Sequence, residues 1–359
     1  MKKNNIQKLA ALLLSVTMIL VMVTGCGGTG SSTEKASADV QSGSESSDSS
    51  TAASAEYTLK LAHDANTTSA YHLSALELER TIEEASGGRI NVEVYPAQQL
   101  GSASEMIEGM QMGTIEATLL PTAKYGGFDQ TMTILDMPFL FPDEDAVYDV
   151  MNGEAGEQVM SKLPDIGIVG CAFYGNGFKA ITNNVREIRT PEDLKGLKIR
   201  TMEAPLIMST YSAWGANPVP VDFSELYSSL QQNVVDGQEN PFLTISDMRF
   251  YEVQKYMSIT NHSYLSYFLA FSQSFLDSLP EDLRDIVMEC GKSCVDYHRE
   301  QMAELTQGYY DNIAASGIQI YTLTEAEREA FLEASQPVYE EYRDIIGGDL
   351  LDAVIAAVD

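Results

Sequence analysis

Tyr57-Thr58-Leu59-Lys60-Leu61 alternates apolar with polar side chains, the two-residue period of a half-buried β-strand. Downstream, Tyr71, Ala75, Leu78, Ile82 and Ala85 recur at spacings of four and three, as on one face of a helix. Gly87-Gly88 ends that helix. Ile90, Val92 and Val94 form a second alternating strand, stopped by Pro96. A short helix from about Ser102 to Met112 is closed by Gly113, and Ile115 to Leu120 reads as a third strand. The β-α-β-α-β order predicts parallel strands with helices on their faces.

The second half repeats this grammar. Ile168 to Tyr174 and Leu197 to Thr201 are strand candidates, and a helix is expected across Glu203 to Trp214. Asp222 and Glu225 form a plausible N-cap pair. Leu226, Leu230 and Val234 carry that helix inward, and Val234-Val235-Asp236-Gly237 ends it. Pro280 opens a long helical pattern that runs to about Ser316. Two α/β lobes with a crevice between them follow. In such sheets ligands bind beyond the carboxyl ends of the strands, and domain interfaces favour small-molecule sites.

The N-terminal residues read differently. Met1-Lys2-Lys3 is a basic start, and Leu9 to Val23 is almost unbroken apolar sequence. That run is shorter than the roughly 20 residues a spanning helix needs. It ends in Val23-Thr24-Gly25-Cys26, which resembles the lipobox of bacterial lipoproteins. The resemblance implies a signal peptide over residues 1–25 and a diacylglyceryl-modified Cys26 as the new N-terminus. The alternative is an uncleaved anchor helix with an incidental cysteine. Gly27 to Ala55 is rich in Ser, Gly, Thr and Ala and has no aromatic residue, so residues 26–55 read as a lipidated flexible tether.

The chain has 359 residues and a formal net charge of −30, with 52 acidic against 22 basic side chains. So acidic a surface repels nucleic acid and anionic headgroups. It also repels an anionic ligand at long range, so an anion site must rest on individual cations. No nucleophile elbow, phosphate loop, HExxH or paired CxxC occurs, so neither an enzyme nor a bound cofactor is expected. Beyond Cys26 three cysteines remain, an odd number that argues against a disulfide framework. Cys290 and Cys294 share a helix face with Leu283 and Val287 and read as core thiols, with a metal pair the sharper alternative. His63-Asp64 closes the first strand, where a ligand-facing residue could sit; a hydrogen-bonded structural role for His63 is equally open. His72 and His298 read as helix-surface or core-edge residues.

Two stretches carry a resemblance: Asp193-Leu194-Lys195-Gly196-Leu197-Lys198-Ile199-Arg200, and Phe223-Ser224-Glu225 through Val235-Asp236-Gly237-Gln238-Glu239-Asn240-Pro241. Tyr95-Pro96, Gln99-Leu100-Gly101, Met137-Pro138-Phe139-Leu140-Phe141 and Thr260-Asn261-His262 agree with it in order. Together they resemble the TRAP transporter solute-binding family of the DctP type. The resemblance implies a two-lobed, periplasmic-binding-protein-like α/β fold with an interdomain cleft and a long helix across both lobes. Residues 56–177 with 266–305 would form one lobe, and 178–265 with 306–359 the other. It implies capture of a small carboxylate, a sugar acid or C4-dicarboxylate, outside the cytoplasmic membrane. It also implies delivery to a separate permease driven by an ion gradient.

By position the resemblance makes Arg200 the carboxylate clamp, Asn240 a polar partner, Phe223 a wall and Asp64 the residue after the first strand. Read from the residues alone, Arg200 could be a surface arginine, Asn240 a turn former and Phe223 core. Where many members carry a second arginine, this chain has Lys179, which keeps the charge but loses the bidentate fork. Ala103 and Pro121 stand where sialic-acid-binding members have acids, which argues against that ligand. A ligand-sensing co-receptor of a two-component system is the alternative role.

Overall fold

The computed structural model of the protein describes residues 55–358. The expectations for residues 1–25, Cys26 and the tether lie outside the described residues. Within them the strands form two sheets. The first is ordered β2-β1-β3-β10-β4, from β1 (Tyr57–His63), β2 (Ile90–Tyr95), β3 (Ala117–Pro121), β4 (Ile168–Phe178) and β10 (Tyr264–Ser272). The second is ordered β11-β9-β5-β8-β6-β7, from β5 (Ala180–Asn183), β6 (Lys198–Thr201), β7 (Asn217–Pro220), β8 (Gly237–Asn240), β9 (Tyr256–Ile259) and β11 (Gln319–Thr322).

The opening expectation holds in register: β1 runs parallel to both β2 and β3. The helix between β1 and β2, Ala70–Ala85, buries Tyr71, Ala75, Leu78 and Ile82, the residues of its periodic face, and Ser69 caps it. The helix Ala103–Gln111 carries a full capping box from Ser102 and Glu105. Neither sheet is purely parallel, however. β10 is antiparallel to β3 and β4, and β5 is antiparallel to β8 and β9. The cause is connectivity. Only Lys179 separates β4 from β5, so the chain passes straight from one sheet into the other, and β9 to β10 makes the return crossing. A strand entering a sheet from its neighbour arrives opposed to the strands laid down by βαβ units.

Several expectations are corrected. Val234 is exposed and Val235 is fully buried. The helix stops at Gln231 and Asn233 takes a left-handed φ of 55°, which turns the following residues around. His298 is completely buried, its Nε2 against Gly175 O at 2.6 Å and its Nδ1 against the Ser74 hydroxyl at 2.9 Å. The long helix spans Glu281–Ala315 and packs on Ala70–Ala85, on β4, and on Phe242–Asp247 beside the second sheet. The last helices, Gln336–Ile346 and Gly348–Val358, were expected in the second lobe. Their Val338, Tyr342, Ile346 and Leu351 instead share the core of Met106, Ile107 and Phe268 beside the first sheet. Cys171 and Cys294 are buried free thiols, both pushed up to about 12 by burial. No helix among the described residues is long and apolar enough to cross a membrane.

The strand crossing is held by buried charge. Lys179 Nζ donates to Asp136 Oδ1 at 2.7 Å and to Glu239 Oε1 at 3.2 Å, all three side chains at most 2% exposed. His262, next to the return crossing, faces Glu239 Oε2 at 3.1 Å and the Thr260 hydroxyl at 2.6 Å. Burial alone would lower the Lys179 pKa, but the two carboxylates outweigh it and hold it above its usual value. Removing one partner of a buried pair strands the rest, a loss of roughly 3–5 kcal/mol. Lys179→Met is therefore expected to lower unfolding free energy by about that amount in urea titration. A loss under about 1 kcal/mol would show that the cluster contributes little.

Candidate functional site

The carboxyl ends of parallel strands from both sheets converge on one small cavity. The first sheet supplies Asp64, directly after β1; Pro121 and Lys124, at and after the end of β3; and Leu265 and Tyr267 from β10. The second supplies Arg200 and Met202 from the end of β6, Asn240 from the end of β8 and Phe223 after β7, with Thr244 from the following helix. Strand-end geometry thus delivers polar side chains from two lobes to one point, as the crevice rule requires.

Arg200 is the centre of this arrangement. It lies in β6 between Val219 of β7 and Gln238 of β8, and is only 1% exposed. Its Nε donates to Val221 O at 2.9 Å, which fixes the plane of the guanidinium. Its Nη2 is buried without any hydrogen-bond partner, and no carboxylate pairs with it among the described residues. The Phe223 ring lies 6.0 Å from its Cζ. Burial pulls the Arg200 pKa down to about 10, only partly offset by Glu239, Asp222 and Asp64. A guanidinium that remains charged at neutral pH, held by Nε and without a partner on Nη2, is costly to bury. The same properties suit it to accept an anion by charge-assisted hydrogen bonds.

Acceptors surround it. Asp64 is 5% exposed and takes the Tyr267 hydroxyl on Oδ1 at 2.9 Å. Burial raises its pKa from 3.8 to about 6, against the Tyr267 hydrogen bond and Lys124. A polar relay orients Asn240. The Thr182 hydroxyl donates to Gln254 Oε1, Gln238 Nε2 donates to Thr182, and Asn240 Nδ2 donates to Gln238 Oε1 at 2.5 Å. With its amide nitrogen so engaged, Asn240 keeps its carbonyl oxygen as an acceptor.

Of the residues expected from sequence, Arg200, Asn240, Phe223 and Asp64 meet here, and Lys179 and His63 do not line the cavity. Lys179 is committed to Asp136 and Glu239 instead. His63 is buried with Nε2 against His72 Nδ1 at 3.1 Å, and burial pulls its pKa down to about 3. The second cation of the site is Lys124, half-buried in the short helix Thr122–Tyr125 after β3 and in no ion pair among the described residues. Burial, then Arg200, lowers its pKa. The signal was available: Lys124 follows the third strand as Asp64 follows the first. Tyr267 was hidden in β10, a run buried at every residue, which carries no alternation to mark one face.

Two α/β lobes with a buried, unneutralised arginine at their shared strand ends define a class: a binding protein for a small anionic solute. The chain belongs to the bacterial extracellular solute-binding protein family 7, DctP, whose model matches residues 61–344. It is 35% identical over 288 residues to the C4-dicarboxylate-binding periplasmic protein DctP of Rhodobacter capsulatus, covering 79% of this chain and 85% of that protein. Its fold matches a TRAP periplasmic solute-binding protein of Sulfurospirillum deleyianum with bound succinate at a TM-score of 0.80. The identity there is 33%, over 84% of this chain and 99% of that one. It matches a sugar acid binding protein of Advenella mimigardefordensis in complex with galactonate at a TM-score of 0.81 and 27% identity, over 84% and 97% of the two chains. The family is one of extracytoplasmic transport binding proteins, not of enzymes.

Proposed function

We propose that the cavity holds a small organic acid with its carboxylate on Arg200, and that the protein delivers this acid to a TRAP-type permease in the membrane. The observation that carries the reading is the buried Arg200 Nη2 without a partner. The whole-molecule charge of −30 opposes an anion, so affinity must come from a short-range contact in a desolvated place. Asn240, Phe223 and Asp64 complete the pocket around it. The bound succinate and galactonate of the two structural neighbours support a carboxylate ligand. None of these similarities points to a signalling role.

Replacing the planar fork with a rotatable ammonium keeps charge and discards the paired geometry. Arg200→Lys is expected to weaken binding of the acid by about 2–3 kcal/mol in titration calorimetry, the range for a charged hydrogen bond lost in a buried site. Parent-like affinity would show that another group clamps the carboxylate.

We also propose that the mature protein is tethered to the outer face of the cytoplasmic membrane by lipid on Cys26. Support comes from Lys2 and Lys3, the apolar run Leu9 to Val23 and the small residues before Cys26. Two acyl chains meet the need for more than one lipid chain in stable anchoring. Cys26→Ser is expected to move the protein from the membrane to the soluble fraction. Unchanged retention, with no lipid on the mature N-terminus, would contradict it.

A further inference from the structure

Just before the crossing at Lys179, β4 carries a β-bulge. Gly175 pairs with Ser266 of β10 and Gly177 with Leu265, so Asn176 is the extra residue. A bulge takes one side chain out of the regular alternation and re-aims it. The glycines beside it hold this one in place. A side chain at Gly175 would collide with the hydroxyls of Tyr148 and Tyr264. The Gly175 carbonyl accepts from the Tyr71 hydroxyl at 2.9 Å and from His298 Nε2 at 2.6 Å. Gly177 takes a φ of 131°, which residues with a side chain rarely adopt.

The bulge aims Asn176 at the helix Phe242–Asp247 beside the second sheet. Its Nδ2 donates to the Thr244 hydroxyl at 3.1 Å. Asn176 is only 3% exposed, and its Oδ1 has no partner. A buried amide with an unsatisfied oxygen adds little stability, because an apolar side chain of similar size would leave nothing unpaired. Its single side-chain hydrogen bond goes to a residue that lines the cavity. A hydroxyl has one hydrogen and two lone pairs. With the Asn176 amide donating to the oxygen, the Thr244 hydrogen remains, and it meets no acceptor among the described residues.

Resting on the carboxylate reading above, we propose that Asn176 is a positioning residue: it fixes the Thr244 hydroxyl so that its hydrogen is donated into the cavity, to an oxygen of the bound acid. Asn176 itself does not line the cavity and acts through Thr244. Arg200 supplies a charged donor from β6, and Thr244 adds a neutral one from the helix after β8.

Succinate, erythronate and galactonate are titrated calorimetrically into the protein, and the tightest binder is carried to the variants. Thr244→Val keeps the shape of the side chain and removes its hydroxyl. It is expected to weaken binding about tenfold, the size of a hydrogen bond to a charged group. Asn176→Leu removes the orienting donor. It is expected to weaken binding by about threefold or more in the parent and in Thr244→Ser, which keeps a hydroxyl, and to add nothing to Thr244→Val, as two residues acting through one contact should. A purely structural Asn176 would weaken all three backgrounds alike. If Asn176→Leu does not fold, Asn176→Ala takes its place in the cycle. Parent-like binding by Thr244→Val, or an equal effect of the Asn176 variant in every background, overturns the inference. So does tighter binding by the Asn176 variant, which would mean that the amide withholds the hydroxyl. In each of these cases a loss of affinity in Arg200→Lys leaves the carboxylate reading standing alone. Binding of none of the three acids overturns both.

Discussion

The site depends on one unmade interaction: a buried guanidinium that no carboxylate among the described residues pairs with directly. The chain has acids in large excess, yet among the described residues none is placed on Arg200 Nη2. Burying a charge unpaired is among the costliest arrangements a fold can hold. It persists because the backbone around it is fixed. β6 is paired on both sides, by β7 and β8, and Val221 O captures Nε. On the proposed reading, an anion on Nη2 would offset that cost.

The architecture that delivers Arg200 also explains the buried cluster around Lys179. Two of the passages between the sheets are direct, from β4 to β5 and from β9 to β10, and the residues at those crossings, Lys179 and His262, converge on Glu239. Glu239 is adjacent to Asn240 at the end of β8, so charge compensation at the crossing and polar display in the cavity occur on neighbouring residues of one strand. Alternation separates them: Glu239 turns to the crossing while Asn240 lines the ligand space. A lysine at the crossing, satisfied by two carboxylates, contributes to the frame, whereas an arginine at a strand end, in no ion pair among the described residues, is the group we propose for recognition.

The sequence made the first lobe readable because its strands and helices follow simple periods. β1, β2 and the helix face of Tyr71 to Ile82 are amphipathic elements, each with one side in water. It was weakest where both sides are buried, as in β10, and where strands are only four residues long, as in β5, β8 and β9. At the site, the positions of Arg200, Asn240 and Phe223 were legible from motif resemblance, and that of Asp64 from its place at a strand end. The role of Lys179 was not legible, since its partners Asp136 and Glu239 lie 43 and 60 residues away along the chain. Lys124 belongs to no motif, since its helix is only four residues long, although the strand-end rule reaches it.

Everything functional in this account rests on where the ligand's carboxylate goes. A crystal structure of the protein with its bound organic acid tests that directly. A carboxylate oxygen is expected within hydrogen-bonding distance of Arg200 Nη2, in the cavity lined by Asp64 and Asn240, with Lys179 still on Asp136 and Glu239. A ligand carboxylate held by Lys179, or by any group other than Arg200, would contradict it.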